Sequence, residues 1–289
     1  MRPAIALTVA GSDPSGGAGI QADLKTFSAL GVYGAAAITA LTAQNTRMVT
    51  AVHAIAPSFV RAQIEAVLGD LPVDAIKLGM LESAAVIHAV ADVLQTVPNI
   101  PVVLDPVMLS KSGASLLGSD AIDALRRRLL PLARVLTPNF PEAAVLLGTS
   151  EAELLSRRMR SEPGLTADQA LLDICRRLQA WGGACVVLKG GHIDSDGPVS
   201  DDFFWDGRFP MRLSAPRIAT RNTHGTGCTY AAAIAAGLAR GESVRSAVIS
   251  ARQYVQQAIV AAASLRIGQG HGPLHHFAAL WPKDALRGT

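Results

Sequence analysis

Short apolar runs alternate along this chain with longer stretches of helical spacing. Ala4–Ala10, Ala35–Leu41, Ala75–Leu78, Val102–Leu104, Val135–Thr137 and Cys185–Leu188 read as strands, because each is short and almost continuously apolar. Helical periodicity predicts helices over Ile20–Leu30, from Pro57 to about Leu68, from a Ser83 cap to about Val97, over Asp120–Leu130, and from a Thr166 cap to Trp181. Asp201–Trp205 and Phe209–Leu213 read as a hairpin around Asp206-Gly207. Two further helices follow, Thr229–Leu238 and Val244–Ala263. This alternation predicts βαβ units: an α/β fold with a central, mostly parallel sheet flanked by helices on both faces. No repeat or linker interrupts it, so residues 1–289 read as a single domain, with Ser156–Leu165 as an irregular surface excursion.

Composition narrows the function classes. Hydrophobic residues make up 49% and charged residues 17%, which excludes a disordered chain and suits a sheet buried on both faces. Aromatics are 4% and the net charge is +3 without a basic stripe, so no nucleic-acid partner is expected. Arg126-Arg127-Arg128 and Arg157-Arg158 read as solvated helix faces. The longest uncharged stretch, Asn222–Ala239, carries Asn, Thr, His and Gly and is not a membrane span. Pro3–Ser12 runs straight into Asp13 and a glycine-rich loop, as a first strand does and a signal peptide does not. The cysteines Cys175, Cys185 and Cys228 are odd in number and lack metal-ligand spacing, which points to a reducing, cytoplasmic setting.

In open parallel sheets, ligands bind beyond the carboxyl ends of the strands. Here those ends carry Gly11-Ser12-Asp13, Gln44-Asn45, Gly79-Met80, Asp105-Pro106, Thr137-Pro138-Asn139 and Lys189-Gly190-Gly191. The sharpest segment is Asn222–Thr229, N-T-H-G-T-G-C-T. Its glycines let backbone N–H groups approach an anion, and the following helix points its positive end at them. A thiol at that helix start, Cys228, is expected to have a lowered pKa. Gly11–Ala18 is not a P-loop, because Ala18 stands where the motif needs lysine, and its spacing also fails the dinucleotide fingerprint. Asp105 and Glu142 suit Mg²⁺, which takes one or two carboxylates together with phosphate oxygens and water.

These segments together resemble the hydroxymethylpyrimidine/phosphomethylpyrimidine kinases of thiamine biosynthesis, in the ribokinase superfamily. The resemblance rests on Gly11–Asp23, Thr42–Thr46, Lys77–Met80, Asp105–Met108 with Ser110–Gly113, Thr137–Asn139 with Glu142, Lys189–His192, Asn222–Thr229 and the tail Gly268–His276. It implies a ribokinase-like fold and two ATP-dependent phosphorylations, of 4-amino-5-hydroxymethyl-2-methylpyrimidine and then of its monophosphate. Cys228 is telling, since the superfamily usually has aspartate after this turn and this family has cysteine. The resemblance makes Cys228 the base, Gly225, Thr226 and Gly227 the anion hole, and Lys189 the partner of the nucleotide phosphates. It puts Gly11, Asp23, Gln44, Met80 and Val107 around the pyrimidine, Asn139, Lys189 and Thr223 at the nucleotide, and Asp105 and Glu142 on Mg²⁺. A Gln44 amide can pair with the amino and ring-nitrogen edge of a pyrimidine.

Alternatives stay open for several of these residues. Asp23 also reads as a brace for the first helix, Lys189 as a carboxylate's partner, and Met80 and Val107 as core residues. His271, His275 and His276 read as a packed C-terminal segment and not as a metal site. At the level of function, a pyridoxal/pyridoxine kinase and a non-catalytic binding protein on the same fold compete with the pyrimidine kinase. A homodimer is the implied assembly.

Overall fold

A computed structural model describes residues 1–108, 119–159, 167–191 and 197–282. Nine strands form one sheet: β1 (Ile5–Ser12), β2 (Tyr33–Gln44), β3 (Val49–Ala54), β4 (Ala75–Leu78), β5 (Val102–Leu104), β6 (Val135–Leu136), β7 (Cys185–Leu188), β8 (Val199–Trp205) and β9 (Pro210–Pro216). Their order across the sheet is β3-β2-β1-β4-β5-β6-β7-β8-β9. Every pairing from β2 to β7 is parallel. The antiparallel β3 and the β8–β9 hairpin close the two edges.

The helices are α1 (Gly19–Ala29), α2 (Pro57–Asp70), α3 (Ala84–Leu94), α4 (Ser119–Ala124), α5 (Phe140–Leu147), α6 (Glu151–Met159), α7 (Ala167–Gln179), α8 (Thr226–Ala239) and α9 (Val244–Ala262). Side chains alternate between the two faces of each strand. Leu7, Val9, Ile76, Leu78, Leu104 and Leu136 pack with α2, α3, α5 and α7. Ala6, Ala75, Val103, Val135 and Val187 pack with α1, α8 and α9. This second layer is built of small residues: Ala231, Ala232, Ala233, Ala235 and Ala236 of α8 are all buried. Small side chains bring α8 close to the sheet, which places its N-terminus at the carboxyl ends of the central strands.

Most predicted elements are present within a few residues of their expected ends. Ser83 caps α3 by accepting the Val86 N–H at 3.4 Å. Three departures have local causes. The polar segment Thr42–Thr46 does not leave the sheet at once; Thr42–Gln44 continue β2, because β3 pairs with them. Helix α8 starts at Thr226, earlier than expected, so Thr226, Gly227 and Cys228 form its first turn. The Asp120–Leu130 helix divides into α4, a π-helical segment Leu125–Leu129 and a short 3₁₀ turn at Leu130–Leu132, where Pro131 cannot donate to the ladder. The Thr166 cap, the Ser110–Gly113 motif, His192 and most of the Ser156–Leu165 excursion lie outside the described residues.

Candidate active site

The carboxyl ends of β1, β2, β5 and β7 meet the start of α8. Gly225 has φ +79° and sits so close to the first loop that a Cβ would lie 1.8 Å from the Gly17 carbonyl oxygen. Only glycine fits there. No side chain caps α8; the Thr226 N–H turns back to the Thr223 carbonyl at 3.4 Å, and the next N–H groups of the first turn are placed to meet an anion. A Cβ on Gly227 would stand 3.2 Å from Lys189 Nζ and 3.6 Å from Asp105 Oδ2. The glycine turn, the lysine and the carboxylate therefore face one another.

Lys189 leaves β7 with its N–H on the Pro138 carbonyl at 2.8 Å. Its Nζ donates to Asp105 Oδ1 at 2.8 Å and lies 3.8 Å from Glu142 Oε2. Asp105 is buried and also accepts from Thr137 Oγ1 at 3.1 Å. Asn139 and Glu142 form a capping box on α5: Asn139 Oδ1 accepts the Glu142 N–H, and Glu142 Oε2 accepts the Asn139 N–H, both at 2.8 Å. Burial raises the Glu142 carboxyl above the usual carboxylate range, with Lys189 pulling it down and Asp105 adding to the rise. Next to Lys189, the Gly190 N–H donates to buried Asp202 at 2.9 Å, which ties this strand end to β8.

Cys228 is half-buried, and its thiol is not lowered as the helix-start argument expects. Burial pushes it up to about 11; Lys77 and the Gly19 backbone pull it down, while Asp23 and Asp105 add to the rise. Desolvation outweighs the pull of Lys77 and of the Gly19 backbone here.

Asp23 is another correction to the expected pocket lining. It is fully buried, with Oδ2 accepting from Lys77 Nζ at 2.8 Å and Thr8 Oγ1 at 2.6 Å. Thr8 and Lys77 are register partners on β1 and β4, and both reach α1 on the same face of the sheet. Burial raises Asp23, opposed by Lys77. Burial would lower Lys77, but Asp23, Cys228 and Asp105 outweigh it and raise it. Asp23 thus holds Lys77 beneath the thiol and offers no open face to a ligand. Lys77 was legible only as part of the Lys77–Met80 motif and without a role of its own, although a charged residue inside a four-residue apolar strand must have a partner.

Gln44, at the end of β2, lies on the same side as the turn. Its Nε2 is 3.3 Å from His224 Nε2, four residues before Cys228. His224 Nε2 is in turn 2.7 Å from Asp13 Oδ2. Burial alone would raise Asp13, but hydrogen bonds with His224 and Ser15 hold it down at about 2. Neither Asp13 nor His224 was singled out by its chemistry in the sequence; their partnership spans the whole fold. Met80 stands beside Gly11, where a Cβ would meet Met80 Cε at 2.4 Å. Val107 is half-buried two residues beyond Asp105, and its described backbone bond is to the Asp105 carbonyl at 2.8 Å. The described bonds of Thr223 are also local: its carbonyl accepts from Thr226 Oγ1 at 2.7 Å.

Residues 13–275 match the phosphomethylpyrimidine kinase family. The chain belongs to that family. The hydroxymethylpyrimidine/phosphomethylpyrimidine kinase of Rhizobium meliloti (strain 1021) is 51% identical over 278 residues, covering 96% of this chain and 98% of the relative. The Escherichia coli (strain K12) protein of the same name is 48% identical over 276 residues, with 96% and 98% covered. Among solved structures, Bacillus subtilis pyridoxal kinase in its ADP complex superposes with a TM-score of 0.82 at 35% identity, covering 96% of this chain and 99% of that one. The phosphomethylpyrimidine kinase of Clostridium difficile 630 gives 0.73 at 37% identity, with 88% and 99% covered. The fold is therefore ribokinase-like, and the chain is a kinase. Its 51% identity to a pyrimidine kinase against 35% to the pyridoxal kinase favours the pyrimidine branch.

Proposed function

We propose that this family member transfers the terminal phosphoryl group of ATP to the hydroxymethyl oxygen of 4-amino-5-hydroxymethyl-2-methylpyrimidine, and a second one to the resulting monophosphate. The observation that carries the reading is the contact between Gln44 and His224, which sets an amide able to read a heterocycle edge against the turn that bears Cys228. Gln44 pairs with the amino and ring-nitrogen edge, and Gly11, Met80 and Val107 flank the ring. The N–H groups at Gly225–Gly227 receive the transferring group, and Lys189 offsets charge on the nucleotide phosphates beside Asn139 and Thr223. Phosphoryl transfer is chiefly positioning and charge stabilisation. Cys228, as thiolate, takes the hydroxymethyl proton late, once the new P–O bond has made that oxygen acidic.

Asp105 and Glu142 would hold Mg²⁺, directly or through water. Both carboxylates converge on Lys189, and burial raises Glu142 with Asp105 adding to the rise, a cost of ionising there that a bound cation would offset. When bound, the ion would neutralise charge on the phosphate oxygens.

A cytoplasmic enzyme is part of the same reading. All three cysteines are free thiols, and among the described residues no helix is long and apolar enough to cross a membrane. So is a homodimer, the assembly that the family resemblance implies.

Steady-state kinetics test the substrate. The parent protein should turn over the pyrimidine alcohol with a kcat/KM well above that for pyridoxal. Gln44→Ala should raise the KM for the pyrimidine by roughly tenfold, the loss of about 1–2 kcal/mol of hydrogen bonding, and leave the KM for ATP within twofold or so. A larger kcat/KM for pyridoxal, or equal effects on both KM values, would overturn this assignment.

A further inference from the structure

A terminal amide can face a ligand in two ways, donor and acceptor exchanged by a half-turn about Cγ–Cδ. A 4-aminopyrimidine shows an acceptor at the ring nitrogen and a donor at the exocyclic nitrogen. Its 4-oxo counterpart shows the reverse. A Gln44 free to turn would serve both, so discrimination between them requires the amide to be held.

Two neighbours hold it. Thr42 Oγ1 lies 2.8 Å from the Ser12 carbonyl oxygen and 3.1 Å from the near end of the Gln44 amide. A hydroxyl has one proton, and a carbonyl oxygen can only accept. The proton goes to Ser12, at the shorter distance, and Thr42 offers Gln44 a lone pair. On the other side, His224 Nε2 lies 2.7 Å from Asp13 Oδ2 and 3.3 Å from the far end of the amide. Asp13, held down at about 2, can only accept, so His224 Nε2 carries a proton that points chiefly at Asp13, the nearer partner, and has no lone pair to accept an amide N–H. Asp13 is itself fixed by the N–H groups of Ser15 and Ala18, both at 2.9 Å. One orientation satisfies both neighbours, amide nitrogen toward Thr42 and amide oxygen toward protonated His224 Nε2; it exchanges the two amide ends relative to the placement with Oε1 at Thr42 and Nε2 at His224.

We infer that His224, locked by Asp13, is a specificity-determining positioning residue that fixes the Gln44 amide and so selects a 4-amino over a 4-oxo pyrimidine alcohol. The inference rests on the substrate class proposed above. The ring lies close over Gly17, where a Cβ would stand 2.4 Å from His224 Cδ2.

The test is the ratio of kcat/KM for the 4-amino alcohol to that for its 4-oxo analogue. His224→Phe keeps a ring of similar size and removes the N–H. The ratio should fall by roughly ten- to a hundredfold, through a gain on the oxo substrate as well as a loss on the amino one. His224→Gln, which restores an N–H near the Nε2 position, should recover most of the ratio. Thr42→Val removes the opposite neighbour and should lower the ratio in the same way, which keeps the test available if His224→Phe does not fold. An unchanged ratio in a folded His224→Phe, or in Thr42→Val where His224→Phe does not fold, overturns the inference. A parent protein that phosphorylates neither alcohol would instead count against the substrate class.

Discussion

Cys228→Ala is expected to fold as the parent does and to lose about 10²- to 10⁴-fold in kcat, the usual range for removal of a positioned general base. Alanine fits the site because it is smaller than cysteine and a strong helix former in the first turn of α8. The pH dependence gives the finer check. With burial holding the thiol up at about 11, the reactive thiolate is scarce near neutrality. A base must be deprotonated to act, so the parent's kcat should climb with pH through about 7 to 10, and this climb should vanish in the alanine variant. Cys228→Ala with parental kcat and an unchanged profile would remove the thiol from the mechanism.

The second large effect is on stability. Asp23→Ala leaves the Lys77 ammonium alone in the core, with both side chains at 0% exposure in the parent pair. Breaking a buried pair by removing one partner costs about 3–5 kcal/mol. In a chain of this size that lowers Tm by on the order of 10 °C. The double variant Asp23→Leu with Lys77→Met should recover most of that loss, because apolar groups of similar volume replace a buried pair with little penalty. It should nonetheless lose activity, because Lys77 is the charge that pulls the Cys228 thiol down. Differential scanning calorimetry beside a turnover assay separates the two effects. An Asp23→Ala protein melting with the parent would show that the pair does not hold Lys77 in place.

The strands were legible wherever burial on both faces made them continuously apolar, as at Ala75–Leu78 and Cys185–Leu188. Strand β3 was not, since nearly all its residues are exposed and its sequence, V-T-A-V-H-A, gives no sustained apolar face. The site showed the same division. Local chemistry identified the glycine turn and Lys189, because each motif is contiguous. The Asp23–Lys77 pair and the Asp13–His224 pair were invisible, because they join residues 54 and 211 positions apart and exist only through the register of β1 with β4 and the return of α8 to the first loop. The thiol's pKa went wrong for a related reason. Position at a helix start can be read from sequence, but desolvation depends on what the rest of the chain packs around the sulfur.

The Gln44 amide and the Cys228 thiol should serve one bound heterocycle. A crystal of the protein soaked with the pyrimidine alcohol measures this directly. The amino and ring-nitrogen edge should lie on the Gln44 amide and the hydroxymethyl oxygen about 3–3.5 Å from Cys228 Sγ, in reach for proton transfer as the phosphoryl group arrives. A pyrimidine bound away from Gln44, or bound there with its hydroxymethyl group turned from Cys228, would contradict it.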